Sequence, residues 1–342
     1  IQKLAGRVDK LETSVDTLQG KVSKLQESDS KNVKFGFGEK FQLTGVIQAM
    51  YNGVLDEGSI KYNKNFTLPS VEMGIQGKIT PHLEYRVSTY PSRNIGKYNE
   101  AITSMADVYI ATDIVPHHKI FFGQTRLPIG VDGAASPLTM NIIEKSMIAK
   151  KFGDTRDTGI KLQGNWEFMD YYVGVYNGSR MQKPDGNRDM DISTWVNFKP
   201  LARASKYGSL DIGAGYTAGK DDNSYNVAGF YTGYKLGKWG LKGEYSISDG
   251  YNGSTALDNK KADGFYLLGS YDLTKKVQFV ARFDRFDPDR HLDSDAINEY
   301  TLGANYYMRD HNLKFMLNYV YSDHPKRNDN AHRILLMTQY ML

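Results

Sequence analysis

Charged side chains of both signs cluster in one stretch of the chain, residues 126–156. Within these 31 residues, basic side chains outnumber acidic ones by five to three. The basic residues are Arg126, Lys145, Lys150, Lys151 and Arg156, and the acidic residues are Asp132, Glu144 and Asp154. Charged groups around a narrow opening bias which ions pass through it. Because the positive excess is small, we expect any such selection to be weak.

Two other groups of side chains have the chemistry of metal ligands. Residues 287–296 contain four carboxylates, at Asp287, Asp289, Asp293 and Asp295. Clustered carboxylates can hold calcium, but the run lacks the glycine and terminal glutamate of a helix-loop-helix calcium site. Whether it binds calcium stays open. His117 and His118 are adjacent at a predicted turn, with no third ligand in view. We predict no metal and no cofactor.

No catalytic motif occurs in a suitable context. The sequence contains no GxSxG, HExxH, phosphate-binding loop or dinucleotide-binding glycine motif. A Ser/His lipase-type site is defined in space, so residue counts leave it open, but nothing argues for one. A net charge of +4 spread along 342 residues does not indicate nucleic-acid binding. We predict that the protein is not an enzyme.

The elements that position these side chains alternate apolar and polar residues from about residue 41 to Leu342. This period of two indicates β-strands with one wet and one dry face. Sixteen such segments occur: 41–51, 66–79, 82–90, 102–114, 118–125, 157–167, 170–178, 190–198, 207–219, 224–236, 239–249, 262–273, 276–286, 297–309, 312–322 and 332–342.

The connections between these strands alternate between long and short. The seven short ones are Thr80–Pro81, Val115–His117, Phe168–Asp170, Pro200–Lys206, Leu236–Lys238, Thr274–Lys275 and Asp310. The eight longer ones are 52–65, 91–101, 126–156, 179–189, 220–223, 250–261, 287–296 and 323–331. This alternation is typical of a transmembrane β-barrel with short periplasmic turns and longer external loops. The connection 220–223 is short for an external loop, so the count of strands could be off by one hairpin there.

Composition agrees with a barrel. Mean hydropathy is −0.52, and no run approaches the 18 or more apolar residues of a membrane-spanning helix. The 24 tyrosines suit membrane interfaces. A soluble sandwich or propeller also alternates, but its core would have to take up many charged side chains. We therefore predict an all-β, 16-stranded antiparallel transmembrane barrel in the bacterial outer membrane.

The charged faces of the strands are predicted to line the lumen. A charge facing lipid at mid-bilayer costs about 2–4 kcal/mol. The residues assigned to the lumen on this basis are Glu84, Arg86, Lys161, Lys242, Glu244, Arg282 and Asp284. For any one of them, simple solvation of a wet wall is the expected role. A register error of one residue near a strand end would reverse the assignment locally.

The longest loop, 126–156, is expected to fold inward and narrow the pore, since a loop of this length is generally functional. A short helix is expected within its TMNIIEKSMIAKKF portion. The alternative is a loop that covers the rim or supports a neighbouring subunit.

Residues 1–28 follow a different period. Apolar residues recur at spacings of three and four, at Ile1, Leu4, Val8, Leu11, Val15, Leu18, Val22 and Leu25. Four heptads of this kind predict a coiled-coil stalk rather than an amphipathic helix packed on its own domain. The seam by itself favours a dimer. Residues 29–40 form a polar linker, and 41–342 form the barrel domain. The chain starts at Ile1 without Met, and we read it as a mature or truncated product.

Two short segments resemble known outer-membrane proteins. The run FFGQTRLPIGVDGAASPLTM, from Phe121 to Met140, resembles the strand-and-loop segment of the superfamily that includes phosphate-selective porins. Those channels carry a ladder of lumen arginines, whereas Arg86, Arg126 and Arg282 are scattered here, which argues against phosphate selectivity. The C-terminal RILLMTQYML resembles the barrel-assembly signal of this class, with Leu342 in place of the usual phenylalanine.

The whole arrangement of stalk and barrel resembles the OmpM-type porins of diderm bacteria. That resemblance implies a homotrimer and a cell-wall partner gripped by a surface-layer-homology (SLH) domain upstream of the stalk. The sequence begins at Ile1, after the position that such a domain would occupy. The trimer implied by the family overrides the dimer favoured by the heptads.

The function expected from the residues and the resemblance together is general diffusion of small hydrophilic solutes and ions. A periplasmic stalk would help to tether the outer membrane, whose lipid surrounds the barrel. The alternatives are a substrate-specific channel and a primarily structural anchor; an adhesin or an enzyme barrel is more remote.

Overall fold

The computed structural model describes residues 38–57, 64–92, 104–178, 189–220, 223–251, 260–293, 295–324 and 329–342. The predicted coiled coil of residues 1–28 and most of the predicted linker lie outside these ranges. Of the linker, the described part is a single helical turn, Gly38–Lys40, immediately before the first strand.

Sixteen antiparallel strands form one closed barrel, as predicted. Each strand pairs with its neighbours in sequence, and the first strand closes against the last. The strands are β1 Gln42–Glu57, β2 Asn65–Thr80, β3 Leu83–Ser92, β4 Ser104–Thr112, β5 His118–Arg126, β6 Arg156–Asn165, β7 Met169–Tyr176, β8 Asp191–Phe198, β9 Ser209–Lys220, β10 Ser224–Leu236, β11 Trp239–Asp249, β12 Lys261–Asp272, β13 Val277–Asp287, β14 Ile297–Arg309, β15 Leu313–His324 and β16 Asp329–Met341.

The chain therefore reads as sixteen strands in the order predicted, with small differences at the boundaries. The largest difference is β1, which continues to Glu57 instead of ending at residue 51. The short 220–223 connection is a true hairpin, because Lys220 of β9 pairs directly with Ser224 of β10.

The alternation of side chains sets the two faces of the wall. Ile47 is 52% exposed on the outer face, whereas its neighbour Gln48 is 4% exposed and bonds Gln339 across the β1–β16 seam at 2.8 Å. Most large apolar side chains on the surface belong to the outer face of the strands. Of the helices in the described ranges, none is long and apolar enough to cross a membrane.

Short turns join the strands at one rim of the barrel. The β10–β11 hairpin needs only Gly237 and Lys238, with Leu236 paired to Trp239. Gly237 has φ of 55°, the left-handed conformation that a two-residue hairpin requires and that glycine adopts at little cost. Short turns mark the periplasmic rim in barrels of this kind.

The segment 127–155, between β5 and β6, lies within the barrel. It contains the helix α1, Val131–Ala134, a 3₁₀ turn, Pro137–Thr139, and the helix α2, Met147–Phe152, inside the portion predicted to hold a short helix. One apolar cluster joins this loop to the inner wall. Its loop members are Leu127, Ile129, Met140, Ile142, Ile148 and Phe152, and its wall members are Tyr176, Tyr225, Val227, Tyr251, Ala262, Tyr266, Leu268, Val280 and Phe286. Part of the inner wall is therefore packed rather than solvated.

Candidate functional site

The segment 127–155, called the inward loop below, crosses the lumen from one wall to the other. It leaves the wall at Arg126 and returns at Arg156. These two residues, predicted as loop residues, belong to β5 and β6 and pair with each other. Along the way the loop bonds to β8, β11, β13, β14, β15 and β16.

Acceptors on the wall bind backbone N–H groups of the inward loop. The Glu244 carboxylate accepts from Val131 N at 3.0 Å and Asp132 N at 3.1 Å. The Asp284 carboxylate accepts from Met147 N at 2.9 Å. Both carboxylates lie at the first residues of short helices, whose N–H groups have no partner within the helix. On β15, Asn318 accepts from the Ile143 N–H at 2.9 Å.

Donors on the wall bind the loop's carbonyl groups in turn. The Lys314 ammonium donates to Leu138 O at 3.0 Å and to Met140 O at 2.6 Å. Three further donors of the same kind are Arg282 to Glu144 O at 2.7 Å, Asn305 to Asn141 O at 2.7 Å and Gln339 to Leu138 O at 3.0 Å. The wall thus holds the loop through both kinds of backbone group.

Ion pairs join the middle of the loop to the wall. Glu144 pairs with Lys150 at 2.9 Å and with Arg333 of β16 at 3.2 Å. Burial opposes ionisation of Glu144, but the charges of Lys150 and Arg333 outweigh it and hold the pKa of this carboxyl well below its usual range. Glu299 pairs with Arg333 at 3.4 Å and with Arg282 at 3.2 Å, which extends the network along the wall.

A second ion-pair cluster closes the base of the loop. Asp154 pairs with Arg126 and, at 2.8 Å, with Lys145. Lys145 also donates to Gly133 O and Ala135 O, both at 2.9 Å. Burial alone would raise the pKa of Asp154, but Lys145 and Arg126 reverse the effect and lower it. The charges of Arg126, Lys145 and Asp154 therefore bind one another and the loop backbone, and they hold the loop in place.

The wall beside the base of the loop, from β2 to β6, has its own charge network. Arg156 pairs with Asp107 at 2.8 Å, and Arg86 pairs with Glu72 at 3.1 Å. A separate pair links Glu84 to Lys119 at 2.5 Å. Glu72 and Asp107 were not among the residues predicted for the site. Their positions on the polar faces of β2 and β4 would have identified them.

Three of the predicted lumen residues are buried beneath the loop rather than solvated as expected. Glu244, Arg282 and Asp284 are each less than 5% exposed and contact the loop. The alternation of residues along each strand predicts that these side chains face the lumen, but it does not predict which segment covers them. Five further wall residues also hold the loop and were missed for the same reason: Lys314, Asn318, Asn305, Gln339 and Arg333. Glu299 was missed too, and it pairs with Arg282 and Arg333 rather than with the loop.

Of the lysines predicted for the site, Lys151, Lys161 and Lys242 have no carboxylate within 4 Å among the residues that the structure describes. Lys161 lies with Nζ 4.4 Å from the centre of the Phe121 ring, and Lys151 is exposed near the end of α2. Lys242 lines a cavity of about 260 Å³ between the loop and the wall, with Asp132, Gln278, Arg282, Tyr307 and His311. The carboxylate of Asp132 accepts from Ser146 N at 2.7 Å. The cavity walls are therefore polar and of mixed charge.

The fold resembles several outer-membrane proteins of known structure. The loop L8 deletion mutant of OmpT from Vibrio cholerae has a TM-score of 0.65 at 12% identity, over 89% of this chain and 99% of that one. An anion-selective porin from Comamonas acidovorans has a TM-score of 0.64 at 11% identity, over 89% and 99% of the two chains. Pseudomonas aeruginosa OprD has a TM-score of 0.51 at 13% identity, over 92% and 97%.

At these identities, the similarities establish the shared fold alone. A search of curated protein sequences found no match. Residues 41–342, which form the whole barrel, match the family model described as phosphate-selective porin O and P. The chain therefore belongs to the phosphate-selective porin O and P family of bacterial outer-membrane porins.

Proposed function

We propose that this protein is a general-diffusion porin that passes small hydrophilic solutes and ions through an aperture bounded by the inward loop. The observation that carries the proposal is the attachment of the loop to the wall by buried groups such as Glu244 and Lys314. A barrel of sixteen strands is too wide for side chains to fill, so it leaves an aqueous passage. A fixed loop narrows such a passage without closing it.

The arrangement of charge favours general diffusion over a phosphate-specific channel. Five arginines of the described lumen and loop base, Arg86, Arg126, Arg156, Arg282 and Arg333, each lie within 4 Å of a carboxylate. Arginines neutralised in this way do not form a continuous ladder for anions. The five basic and three acidic residues of 126–156 give a modest positive excess, so a weak preference for anions is expected.

Homotrimer formation and tethering complete the proposal. A trimer form is described for OmpT of Vibrio cholerae, whose structure resembles this chain with a TM-score of 0.62 at 11% identity. The tethering role rests on the heptads of residues 1–28 and on the resemblance to stalked porins. Tyr85 OH donates to Lys40 O at 2.9 Å, so the last turn before β1 is fixed to the wall. A stalk attached there would transmit force to the barrel.

Single-channel recording of the purified protein in a planar bilayer, under a salt gradient, tests the proposal. Large ohmic steps that close in threes, with a reversal potential of a few millivolts towards anions, are expected. Current block that saturates with phosphate would instead favour a substrate-specific channel, and absence of conductance would contradict both. Deletion of residues 1–28 should leave conductance unchanged and weaken attachment of the envelope. Loss of conductance in that variant would contradict this division of labour.

A further inference from the structure

An apolar groove of about 660 Å³ lies on the outer face of the barrel, across β10 to β14 near the short-turn rim. Its floor is the pair Gly269 and Ala281, which face each other on β12 and β13. Its sides are large apolar residues: Tyr234, Leu236, Trp239, Leu241 and Tyr271 on one side, and Phe279 and Leu302 on the other.

The floor of the groove is open because two small residues lie side by side between large ones. Leu241 pairs with Gly269, Gly269 with Ala281, and Ala281 with Leu302 in one row across four strands. A Cβ placed on Gly269 would meet nothing closer than the Ala281 carbonyl, at 4.0 Å. The row therefore leaves a notch that an extended hydrocarbon chain fits.

Lysines surround the end of the groove at the short-turn rim. Lys238, Lys275 and Lys276 are exposed, and none has a carboxylate within 4 Å among the described residues. Lys238 Nζ lies 6.0 Å from the centre of the Tyr271 ring and donates to Leu273 O at 3.0 Å, which holds its charge above the groove. Lys235 is the exception, since it pairs with Asp272 at 3.2 Å.

We propose that this groove binds an anionic phospholipid of the periplasmic leaflet. One acyl chain lies in the Gly269–Ala281 notch, and the headgroup phosphate meets Lys238, Lys275 and Lys276. Basic groups just outside the hydrocarbon layer attract anionic headgroups, and Trp and Tyr mark the depth at which headgroups lie.

The same wall fits lipid better than a second copy of the chain. Aromatic side chains bound the groove at the short-turn end, through Trp239, Tyr271 and Phe279. A second row bounds the opposite end of the same strands, at Tyr245, Phe265, Phe283 and Tyr300. Two aromatic girdles around an apolar band are the pattern of a wall that faces lipid.

Trp239 provides the test, because lipids with brominated acyl chains quench tryptophan on contact. Its signal is the difference in fluorescence between the full chain and the Trp239→Phe variant, both reconstituted in phosphatidylcholine vesicles. Brominated phosphatidylglycerol should quench it at a mole fraction roughly fivefold lower than brominated phosphatidylethanolamine. Lys238→Gln/Lys275→Gln/Lys276→Gln should make the two lipids equal. Lys40→Gln/Lys78→Gln, which removes lysines across the barrel from the groove, should preserve the difference.

Filling the notch tests the acyl-chain half of the proposal. Gly269→Leu should abolish the preferential quenching, whereas Ala214→Leu, on the outer face of β9, should preserve it. Equal quenching by both lipids in the unmodified chain would overturn the proposal. A disulfide between copies carrying Leu302→Cys would also overturn it by assigning the groove to a second copy. The chain contains no other cysteine, so that result would be unambiguous.

Discussion

Lys314 of β15 and Met140 of the inward loop are joined by a hydrogen bond of 2.6 Å, although 174 positions separate them in the sequence. The lysine is fully buried and also donates to Leu138 O. A buried ammonium is tolerated only when it is well bonded. The contact therefore fixes the middle of the loop against the wall opposite the strands β5 and β6 from which the loop extends.

Lys314→Met should release the middle of the loop from the wall. The substitution keeps most of the length of the side chain but leaves the Met140 carbonyl without its donor and Leu138 O with Gln339 alone, at a cost of roughly 2 kcal/mol. We expect flickering open-channel current in place of steady steps, measured in planar bilayers. Lys119→Met removes a wall lysine that pairs with Glu84, so it serves as the control and should leave the current steady. Steady current from both variants would show that Lys314 does not hold the loop.

Asp154 should make the base of the loop sensitive to acid. Its pKa in the folded protein is lowered below the ordinary value of 3.8, because Lys145 and Arg126 outweigh the effect of burial. A carboxylate with a lowered pKa stabilises the fold above its unfolded pKa, and that stabilisation is lost as the pH falls through the folded value. Asp154→Asn should therefore destabilise the protein by roughly 2 kcal/mol at pH 7.

The difference between the two proteins should be constant from pH 8 to about pH 5 and should shrink below about pH 4. Urea unfolding in detergent, followed by tryptophan fluorescence, measures it. Comparing the variant with the unmodified chain cancels the titration of other carboxylates. A difference that disappears between pH 7 and pH 5 would contradict the lowered pKa.

The barrel could be predicted from the sequence because a period of two is a local property. Ile47 and Gln48 differ in polarity, and that difference alone specifies which faces lipid. The cover over Glu244 could not be predicted in this way. Its partners, Val131 and Asp132, lie more than 110 positions away, and no repeating pattern in the sequence links their positions to β11.

The same limit applies to the charges of the lumen. Strand parity placed Arg282 and Asp284 inside the barrel, but the solvated role expected for each was wrong because the loop packs on them. The polar contacts that hold the loop are between residues far apart in sequence, and amino-acid types alone do not determine such pairings. The alternation along a strand specifies whether a side chain faces the lumen or the lipid. Tertiary packing specifies which residue that side chain contacts.

Lys161 and Lys242 should determine most of the ion preference. Neither has a carboxylate within 4 Å among the residues described, so their charge acts on passing ions rather than on the protein. Lys161→Gln/Lys242→Gln should move the reversal potential under a salt gradient towards cations while single-channel conductance changes little. Lys275→Gln, at an exposed turn outside the lumen, is the control. An unchanged reversal potential in the double variant would assign selectivity to other groups.

Gly153 should be a position where even a methyl group disturbs the loop. A Cβ there would lie 2.7 Å from Ile129 O and 2.9 Å from the Cα of Gly133, so two backbone segments at the base would have to separate. Overpacking of this kind costs about 1–3 kcal/mol. Gly153→Ala should lower the urea midpoint and raise current noise. Gly269→Ala, whose Cβ meets nothing within 3.9 Å, should behave like the unmodified chain. Equal stability of the two variants would mean that the base of the loop yields to added volume, and the loop would then be a movable gate rather than a fixed constriction.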